Sequence, residues 1–257
     1  MTAARIEWQA TIPTGGYDVA LTIPAIGGPF TVTVPAGTYF LTDLLSTLKT
    51  LLDAASGADG VFTVSASLGQ TGTGLVTISH TLQTFTLAWT DTELRDLFGF
   101  TGTLTPAALT FTGTRNARGA WLSGAESAFS YGNSDEGHTE TDIGSTESPA
   151  GDIKGIGWTT RTVLPMALWS HVPLANARIS GETTTGASFE QQWRWCQGGE
   201  LAYFEILSAF RLYPDADSAT YKTYRCARTS TEMPRVDPGW NGLYTIQLDR
   251  LVRVPGT

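Results

Sequence analysis

Three histidines and a run of acidic residues are the groups in this sequence that could bind a metal. His80, His138 and His171 lack the i, i+4 spacing that places two imidazoles on one face of a helix as metal ligands. Carboxylates surround only His138, within residues 135–142, and oxygen ligands with an imidazole can hold a divalent cation. Nothing predicted there fixes such a geometry. We therefore interpret residues 135–142 as a solvated acidic loop and assign no metal ligand.

Paired carboxylates are the second chemistry considered, because two acids across a cleft could hydrolyse a glycosidic bond. Glu190 with Glu200, or Asp215 with Asp217, supply such acids, but the sequence places neither pair across a pocket. Residues 214–218 have Pro and Asp at their preferred turn positions. We therefore interpret this segment as a turn and prefer that interpretation to a calcium-binding loop. A glycosidase is the weakest of the functions considered.

Motifs for nucleotide binding and for acyl transfer are missing from the sequence. No glycine precedes a lysine, so there is no P-loop, and no serine has the G-x-S-x-G setting of a nucleophile elbow. The pair Gly155 and Gly157 lacks the third glycine of a dinucleotide fingerprint. We expect no catalytic residue, no cofactor and no enzymatic activity.

The eight tryptophans are the most unusual feature of the composition. Exposed indole rings stack on sugars or bury at protein interfaces, so four of them are candidate interaction residues. These are Trp121, Trp193, Trp195 and Trp240. Trp195 and Trp240 are the better candidates, since each is predicted at an element end or a turn. The alternative, burial in the core, applies to most of the tryptophans.

Composition limits the partners. The chain has 257 residues, 16% of them charged, and a formal net charge of −8, which disfavours nucleic acid as the main partner. No segment has the roughly 18 consecutive apolar residues of a membrane helix, and the first residues lack the apolar core of a signal peptide. We expect synthesis in the cytoplasm and no membrane partner. Cys196 and Cys226 are then a buried thiol pair in preference to a disulfide.

The first 114 residues predict a β-rich domain with a covering helix. Residues 30–34 alternate at period two, and residues 62–66, 75–78 and 85–89 also have strand character. Between them, leucines recur at three- and four-residue steps over residues 41–55, which predicts an amphipathic helix that covers a sheet. Residues 91–98 predict one or two further helical turns that end at a glycine.

Residues 115–156 are rich in Gly, Ser, Thr and acidic residues and predict a long connection that orders on a partner or joins two domains.

Residues 157–257 predict a second β-rich domain, with strands at residues 158–164, 167–172, 201–207, 221–226 and 243–254. Residues 188–191 have the spacing of a capping box, so we expect a short helix after Ser188, although Trp193 and Trp195 would also suit a strand. The fold class is therefore mainly β, with two β-rich domains of sandwich or barrel type.

Parts of the sequence resemble structural proteins of tailed bacteriophages. The resemblance covers residues 28–104 and is carried by the strand and turn at 30–39, the leucine-rich helix, the strand at 85–89 and the segment at 91–102. A shorter likeness to tail-tip and distal-tail proteins involves Phe189 to Trp193, Gly198 and Gly199, then residues 203–204 and 213–215.

The resemblance implies a virion component that works by assembly. Its expected partners are further copies of itself, as a homo-oligomeric ring, and other virion proteins in the tail or the head–tail junction. Low charge density and many aromatic residues suit faces that become subunit interfaces. The alternatives are a head decoration or vertex spike protein and, in a different class, a carbohydrate-binding or receptor-binding module that uses exposed tryptophans.

Overall fold

The structure, a computed structural model, describes residues 3–57, 60–125, 127–131, 137–142, 146–147, 153–154, 158–178, 186–196, 209–226 and 235–254. The prediction of a mainly β protein is confirmed. The strands are β1 (Arg5–Ile12), β2 (Tyr17–Ile23), β3 (Gly27–Val34), β4 (Gly37–Phe40), β5 (Phe62–Ala66), β6 (Leu75–His80), β7 (Phe85–Trp89), β8 (Leu104–Ala108), β9 (Thr110–Asn116), β10 (Ala120–Leu122), β11 (Ala128–Tyr131), β12 (Gly137–Asp142), β13 (Thr146–Glu147), β14 (Ile153–Lys154), β15 (Trp158–Val172), β16 (Phe210–Tyr213), β17 (Lys222–Cys226), β18 (Arg235–Pro238) and β19 (Tyr244–Arg253). The helices are α1 (Leu41–Ser56), α2 (Thr92–Leu97), α3 (Leu174–Ala177) and α4 (Phe189–Cys196), with a 3-10 turn at Trp240–Gly242.

Two small antiparallel sheets face each other in the first half of the chain. One has the strand order β3-β2-β7-β8 and the other the order β5-β6-β9. Their inner faces meet through aromatic rings: Phe85 lies edge-on to Phe62 at 5.0 Å and to Phe111 at 5.2 Å. These rings belong to strands of different sheets, so the contact holds the two sheets together as a sandwich.

Helix α1 closes one open side of this sandwich, as its apolar stripe predicts. Its leucines at positions 41, 44, 45, 48 and 52 are buried, and the helix contacts both β3 and β5. The side chain of Asp53 fixes the helix to the second sheet, because its Oδ1 accepts the Phe62 backbone N–H at 2.6 Å. The predicted covering helix is confirmed, with one further residue at its end.

Helix α2 confirms the prediction for residues 91–98. Gly99 follows it with a φ of +73°, the left-handed conformation that glycine adopts at low cost. A side chain would not fit there, since a Cβ on Gly99 would lie 2.1 Å from the carbonyl oxygen of Arg115.

A ten-stranded sheet contains most strands of the second half and also β1. Its main path has the order β10-β1-β16-β17-β19-β15-β11, while β4, β12 and β18 pair with strands of that path. The first half of β1 pairs with β16, so that Arg5 is opposite Tyr213, and its second half pairs with β4. Strand pairing therefore crosses the boundary expected between residues 114 and 157. The division into two domains remains a prediction.

Residues 115–156 are more than a connection. Their described parts form β10, β11, β12, β13, β14 and the end of β9, and β12 pairs with β15 over six residue pairs. Trp121 in β10 is fully buried. The sequence interpretation underestimated this segment because it weighed small and polar residues as loop formers, whereas threonines also favour strands.

The second half contains several of its predicted elements, together with α3, β16 and β18, which were not predicted. Residues 158–164 and 167–172 form one strand, β15, and β17 and β19 confirm two others. The helix interpretation of α4 is also confirmed, because the Ser188 Oγ accepts the Gln191 backbone N–H at 3.2 Å as an N-cap. The strand at residues 201–207 and the side chains of Cys196 and Cys226 lie outside the described residues.

Candidate interaction site

The described acidic residues have structural partners. Glu190 accepts a hydrogen bond from Arg194 at 2.9 Å, and Glu200 lies outside the described residues. Residues 214–218 form the predicted turn, since the Asp215 carboxylate accepts the Asp217 backbone N–H at 3.0 Å. Within the described ranges, no three His, Cys, Asp or Glu side chains lie close enough to hold a metal ion. For His138 the structure describes the backbone of β12 and not the side chain, so its predicted lack of a metal role stays a prediction.

Three of the four tryptophans proposed as interaction residues lie in the core. Trp121 is 1% exposed, and Trp193 and Trp195 are each 5% exposed. Their interpretation as contact residues is corrected, because a buried ring presents no face to a partner. The fourth, Trp240, begins the 3-10 turn before β19, and its side chain lies outside the described residues. Its role in binding therefore stays a prediction.

The buried tryptophans hold α4 on the large sheet. The Phe189 ring lies 5.0 Å from Trp121 and 5.9 Å from Trp193, and Trp121 lies edge-on to Trp169 at 5.6 Å. Trp121 also donates its indole N–H to the carbonyl of Asn176 at 2.7 Å. Trp195 at the end of α4 has the guanidinium of Arg118 over its ring, 4.8 Å from the centroid.

A group of charged and polar residues, which we call the Glu7 cluster, joins α1 to the large sheet. It consists of Arg5 and Glu7 in β1, Thr42 and Asp43 in the first turn of α1, and Arg211 in β16. Thr42 donates its hydroxyl to Glu7 Oε2 at 2.9 Å. Arg211 binds Asp43 through two nitrogens, at 3.1 and 2.9 Å. The cluster therefore connects three elements that are far apart in the sequence.

Glu7 is fully buried, and burial raises its pKa above the ordinary value despite the opposing effects of Arg5 and Thr42. Its Oε1 lies 3.2 Å from Arg5 Nε, but neither atom has a hydrogen-bond partner. The Arg5 guanidinium also lies over the Tyr213 ring, 3.7 Å from the centroid. Burial, and then the charge of Glu7, raise the pKa of the Tyr213 hydroxyl. The sequence interpretation missed this cluster because its members approach one another only in three dimensions.

The outer surface of the sheet β5-β6-β9 carries a continuous array of hydroxyl groups. Six serine and threonine side chains point outward from its three strands, and each is exposed or half-buried. Strand register places them in two rows of three across the sheet. The first row is Thr63, Ser79 and Thr110, and the second row is Ser65, Thr77 and Thr112. We call this surface the hydroxyl face. Its six positions carry no charge.

The hydroxyl face follows directly from the period-two pattern of the three strands. Phe62 and Val64 in β5, and Val76 and Ile78 in β6, point inward and are buried, so the residues between them point outward. Across the sheet, the hydroxyls of Thr77 and Thr112 lie 3.2 Å apart. The alternation was visible in the sequence, but the neighbouring strands that complete the array were not.

Exposed apolar side chains border one end of the hydroxyl face. Val61 is 52% exposed, Leu82 is 68% exposed and Leu109 is 47% exposed. Backbone hydrogen bonds place all three at the same end of the sheet: the Val61 carbonyl accepts the N–H of Thr81, which precedes Leu82, at 3.1 Å, and the Leu109 carbonyl accepts the His80 N–H at 2.9 Å. His80 itself is buried at the end of β6, where its ring packs against Phe62.

Neutral hydroxyls with an apolar border can bury against another protein surface at modest cost. A hydroxyl donates and accepts hydrogen bonds, so it finds partners in many orientations, whereas an unpaired charge is expensive to desolvate. Charged residues are depleted in the cores of protein interfaces. Nothing in this surface activates a nucleophile or transfers a proton. The arrangement is suited to recognition.

Comparisons with known proteins give a weak likeness to a solved structure. No family model matches the sequence, and no curated protein matches it. Among solved structures, the chain is similar to the selenomethionine-labelled penton protein of mavirus, with 8% sequence identity, a TM-score of 0.28, and coverage of 99% of this chain and 85% of that chain. A TM-score this low assigns neither a fold family nor a function. In the described part of the chain, no helix has both the length and the apolar character needed to cross a membrane.

Proposed function

We propose that this chain is a non-catalytic structural subunit of a virion, which assembles with further copies of itself through the hydroxyl face. The observation that carries the proposal is the uncharged character of all six positions of that face, together with its apolar border. A sheet surface that remained in water would tolerate charges, and exposed edge strands usually carry them. Burial against another subunit explains why this surface has none.

The finer assignment, to the tail or the head–tail junction of a tailed bacteriophage, belongs to the same proposal. It is supported by the resemblance of residues 28–104 to a module of phage structural proteins. Cyclic symmetry then favours a closed ring of subunits. Immunogold labelling of purified particles with an antibody against this chain tests the location. Label on the tail or neck agrees with the proposal, whereas label confined to the head favours a decoration or vertex protein.

Light scattering after size exclusion, at several protein concentrations, tests the assembly. We expect a discrete oligomer for the unchanged chain and a monomer for Thr77→Arg, because Thr77 lies at the centre of the second row of the hydroxyl face. Thr50→Arg is the matched control, since Thr50 is exposed on α1 and belongs to a different surface. A wild-type chain that is monomeric at every concentration, or an oligomer that survives Thr77→Arg, contradicts the proposed interface.

A further inference from the structure

The two edges of β5 are in different environments. On one side β5 pairs with β6. Backbone hydrogen bonds at the two ends of this pairing show which residues of β5 bond to β6: the Val61 carbonyl accepts the Thr81 N–H, and the Ser67 N–H donates to the Leu75 carbonyl at 2.9 Å. Residues 61, 63, 65 and 67 therefore direct their backbone groups toward β6. The backbone groups of Phe62, Val64 and Ala66 point to the opposite edge, toward α1.

A side chain already occupies the first position on that edge. Asp53 of α1 accepts the Phe62 backbone N–H at 2.6 Å, as the carbonyl of a neighbouring strand would. Beyond Phe62, no strand or helix of the described chain pairs with Val64 or Ala66 on this side. Two residues of β5 therefore present main-chain donors and acceptors without a ladder partner.

Val64 and Ala66 both line a groove of about 490 Å³ between α1 and β5. Leu45 and Ser46 line it on the α1 side, Val64 and Ala66 on the β5 side, and Leu68 at one end. The charged side chains of its lining already have partners. Lys49 lies 2.6 Å from Asp53, Arg5 lies 3.2 Å from Glu7, and the Asp217 carboxylate accepts the Gln70 backbone N–H at 2.9 Å. The groove therefore combines apolar and hydroxyl side chains with charged groups that are already engaged.

We propose that this groove binds an extended, uncharged peptide segment of a neighbouring protein chain, which adds to the free edge of β5 as a further strand. The segment's backbone would pair with the N–H and C=O groups of Val64 and Ala66, and its alternate apolar side chains would contact Leu45 and Leu68. Main-chain hydrogen bonds supply the affinity in this mode of recognition, and the apolar lining supplies the preference for uncharged residues. Of the six residues of the hydroxyl face, the groove is lined by Ser65 alone, and the added strand would pair with Val64 and Ala66, so the inference goes beyond the proposed function.

Amide hydrogen exchange, followed by NMR on the full-length chain, tests the proposal residue by residue. In the free protein we expect the amides of Val64 and Ala66 to exchange faster than those of Thr63 and Ser65, which bond to β6. The probe is the blocked peptide Thr-Val-Thr-Val-Thr. At about ten times its Kd, it slows exchange at Val64 and Ala66 about tenfold. Equal protection of all four amides in the free protein would overturn the open edge.

Two controls separate strand addition from unspecific contact. The same peptide with all of its amide N–H groups N-methylated cannot donate a main-chain hydrogen bond to the β5 edge and should cause no slowing. Ser46→Trp fills the groove and should abolish the effect, whereas Thr50→Trp, one turn further along α1 and outside this groove, should retain it. The proposal is overturned if the N-methylated peptide acts equally or if Ser46→Trp has no effect. Association through the hydroxyl face is tested separately by Thr77→Arg, because Thr77 is not among the residues that line the groove.

Discussion

The hydroxyl face and the Glu7 cluster show two opposite uses of polar side chains in one β-rich chain. The cluster is charged and has a buried centre: Glu7 is fully buried, and Arg211 reaches from it to the exposed Asp43, which it binds through two nitrogens. The hydroxyl face is open to solvent and carries no charge. The chain thus places charges of opposite sign together in the cluster and has none at the six positions of an exposed surface. This distribution is expected when the exposed surface is to be buried later.

The difference has a consequence for stability. A buried charge that loses its partner becomes costly, whereas an exposed hydroxyl can be exchanged for another small side chain with little effect on folding. Substitutions in the two regions should therefore differ in size and in kind. Changes in the Glu7 cluster should affect unfolding, and changes in the hydroxyl face should affect association.

The largest effect is expected for Glu7→Ala. This change leaves Arg5 with 11% of its side chain exposed and no carboxylate partner, and it removes the acceptor of the Thr42 hydroxyl. Breaking a buried ion pair by removing one partner costs about 3–5 kcal/mol. Urea denaturation should show this loss in the free energy of unfolding. Glu7→Gln keeps the shape and an oxygen for Thr42, so its loss should be smaller. Equal stability of Glu7→Ala and the unchanged chain would remove the cluster's structural role.

The pH dependence of stability is the next largest effect. The pKa of Glu7 is raised by burial from its ordinary value of 4.5, so the folded chain holds the proton more tightly than the unfolded chain. The stabilisation from protonated Glu7 is complete below that value and is lost as the pH rises through the raised pKa. Each unit of elevation corresponds to about 1.4 kcal/mol.

Denaturation of the unchanged chain and of Glu7→Gln at several pH values measures this loss. Both chains share every other acid, so the difference between their unfolding free energies isolates Glu7. We expect the unchanged chain to lose stability relative to Glu7→Gln as the pH rises above 4.5. A difference that stays constant with pH would mean that the pKa of Glu7 is not raised.

A comparison of two serines sharpens the contrast on a smaller scale. The Ser188 hydroxyl has a fixed role, because it accepts the Gln191 N–H as the N-cap of α4. The Ser65 hydroxyl lies exposed on the hydroxyl face. Ser188→Ala should cost about 1 kcal/mol, and Ser65→Ala should stay within about 0.5 kcal/mol of the unchanged chain. Thermal and urea unfolding of both variants measures the difference, and equal costs would contradict it.

Local patterns predicted individual elements well. Leucines at three- and four-residue steps predicted α1, and Ser188 predicted the start of α4. Acidic residues followed by Gly99 predicted α2 and its end. Each of these signals lies within one turn or one strand, where backbone preferences and side-chain period act directly. The strands β1 and β2 were not among the predictions, although Val19, Leu21 and Ile23 in β2 alternate with half-buried residues.

Contacts between distant segments were not predictable in the same way. The Glu7 cluster joins β1, α1 and β16, and the hydroxyl face needs three strands in register. The burial of Trp121, Trp193 and Trp195 likewise depends on how α4 meets the large sheet. A tryptophan at the end of an element can face solvent or core, and tertiary packing decides between them. Residue type alone therefore selected three rings that the fold buries.

A small effect on folding, together with a loss of association, is expected for charges placed at Thr77 and Thr112. Their hydroxyls lie 3.2 Å apart on neighbouring strands, so Thr77→Glu with Thr112→Glu puts like charges directly opposite and should cost about 0.2–1 kcal/mol of folding stability. Thr77→Lys with Thr112→Glu replaces the repulsion by attraction and should restore folding stability. Both double variants should nevertheless be monomeric by light scattering, because each forces charges to lose water in an interface. Assembly of Thr77→Lys with Thr112→Glu to the same oligomer as the unchanged chain would contradict the proposal that this face assembles because it carries no charge.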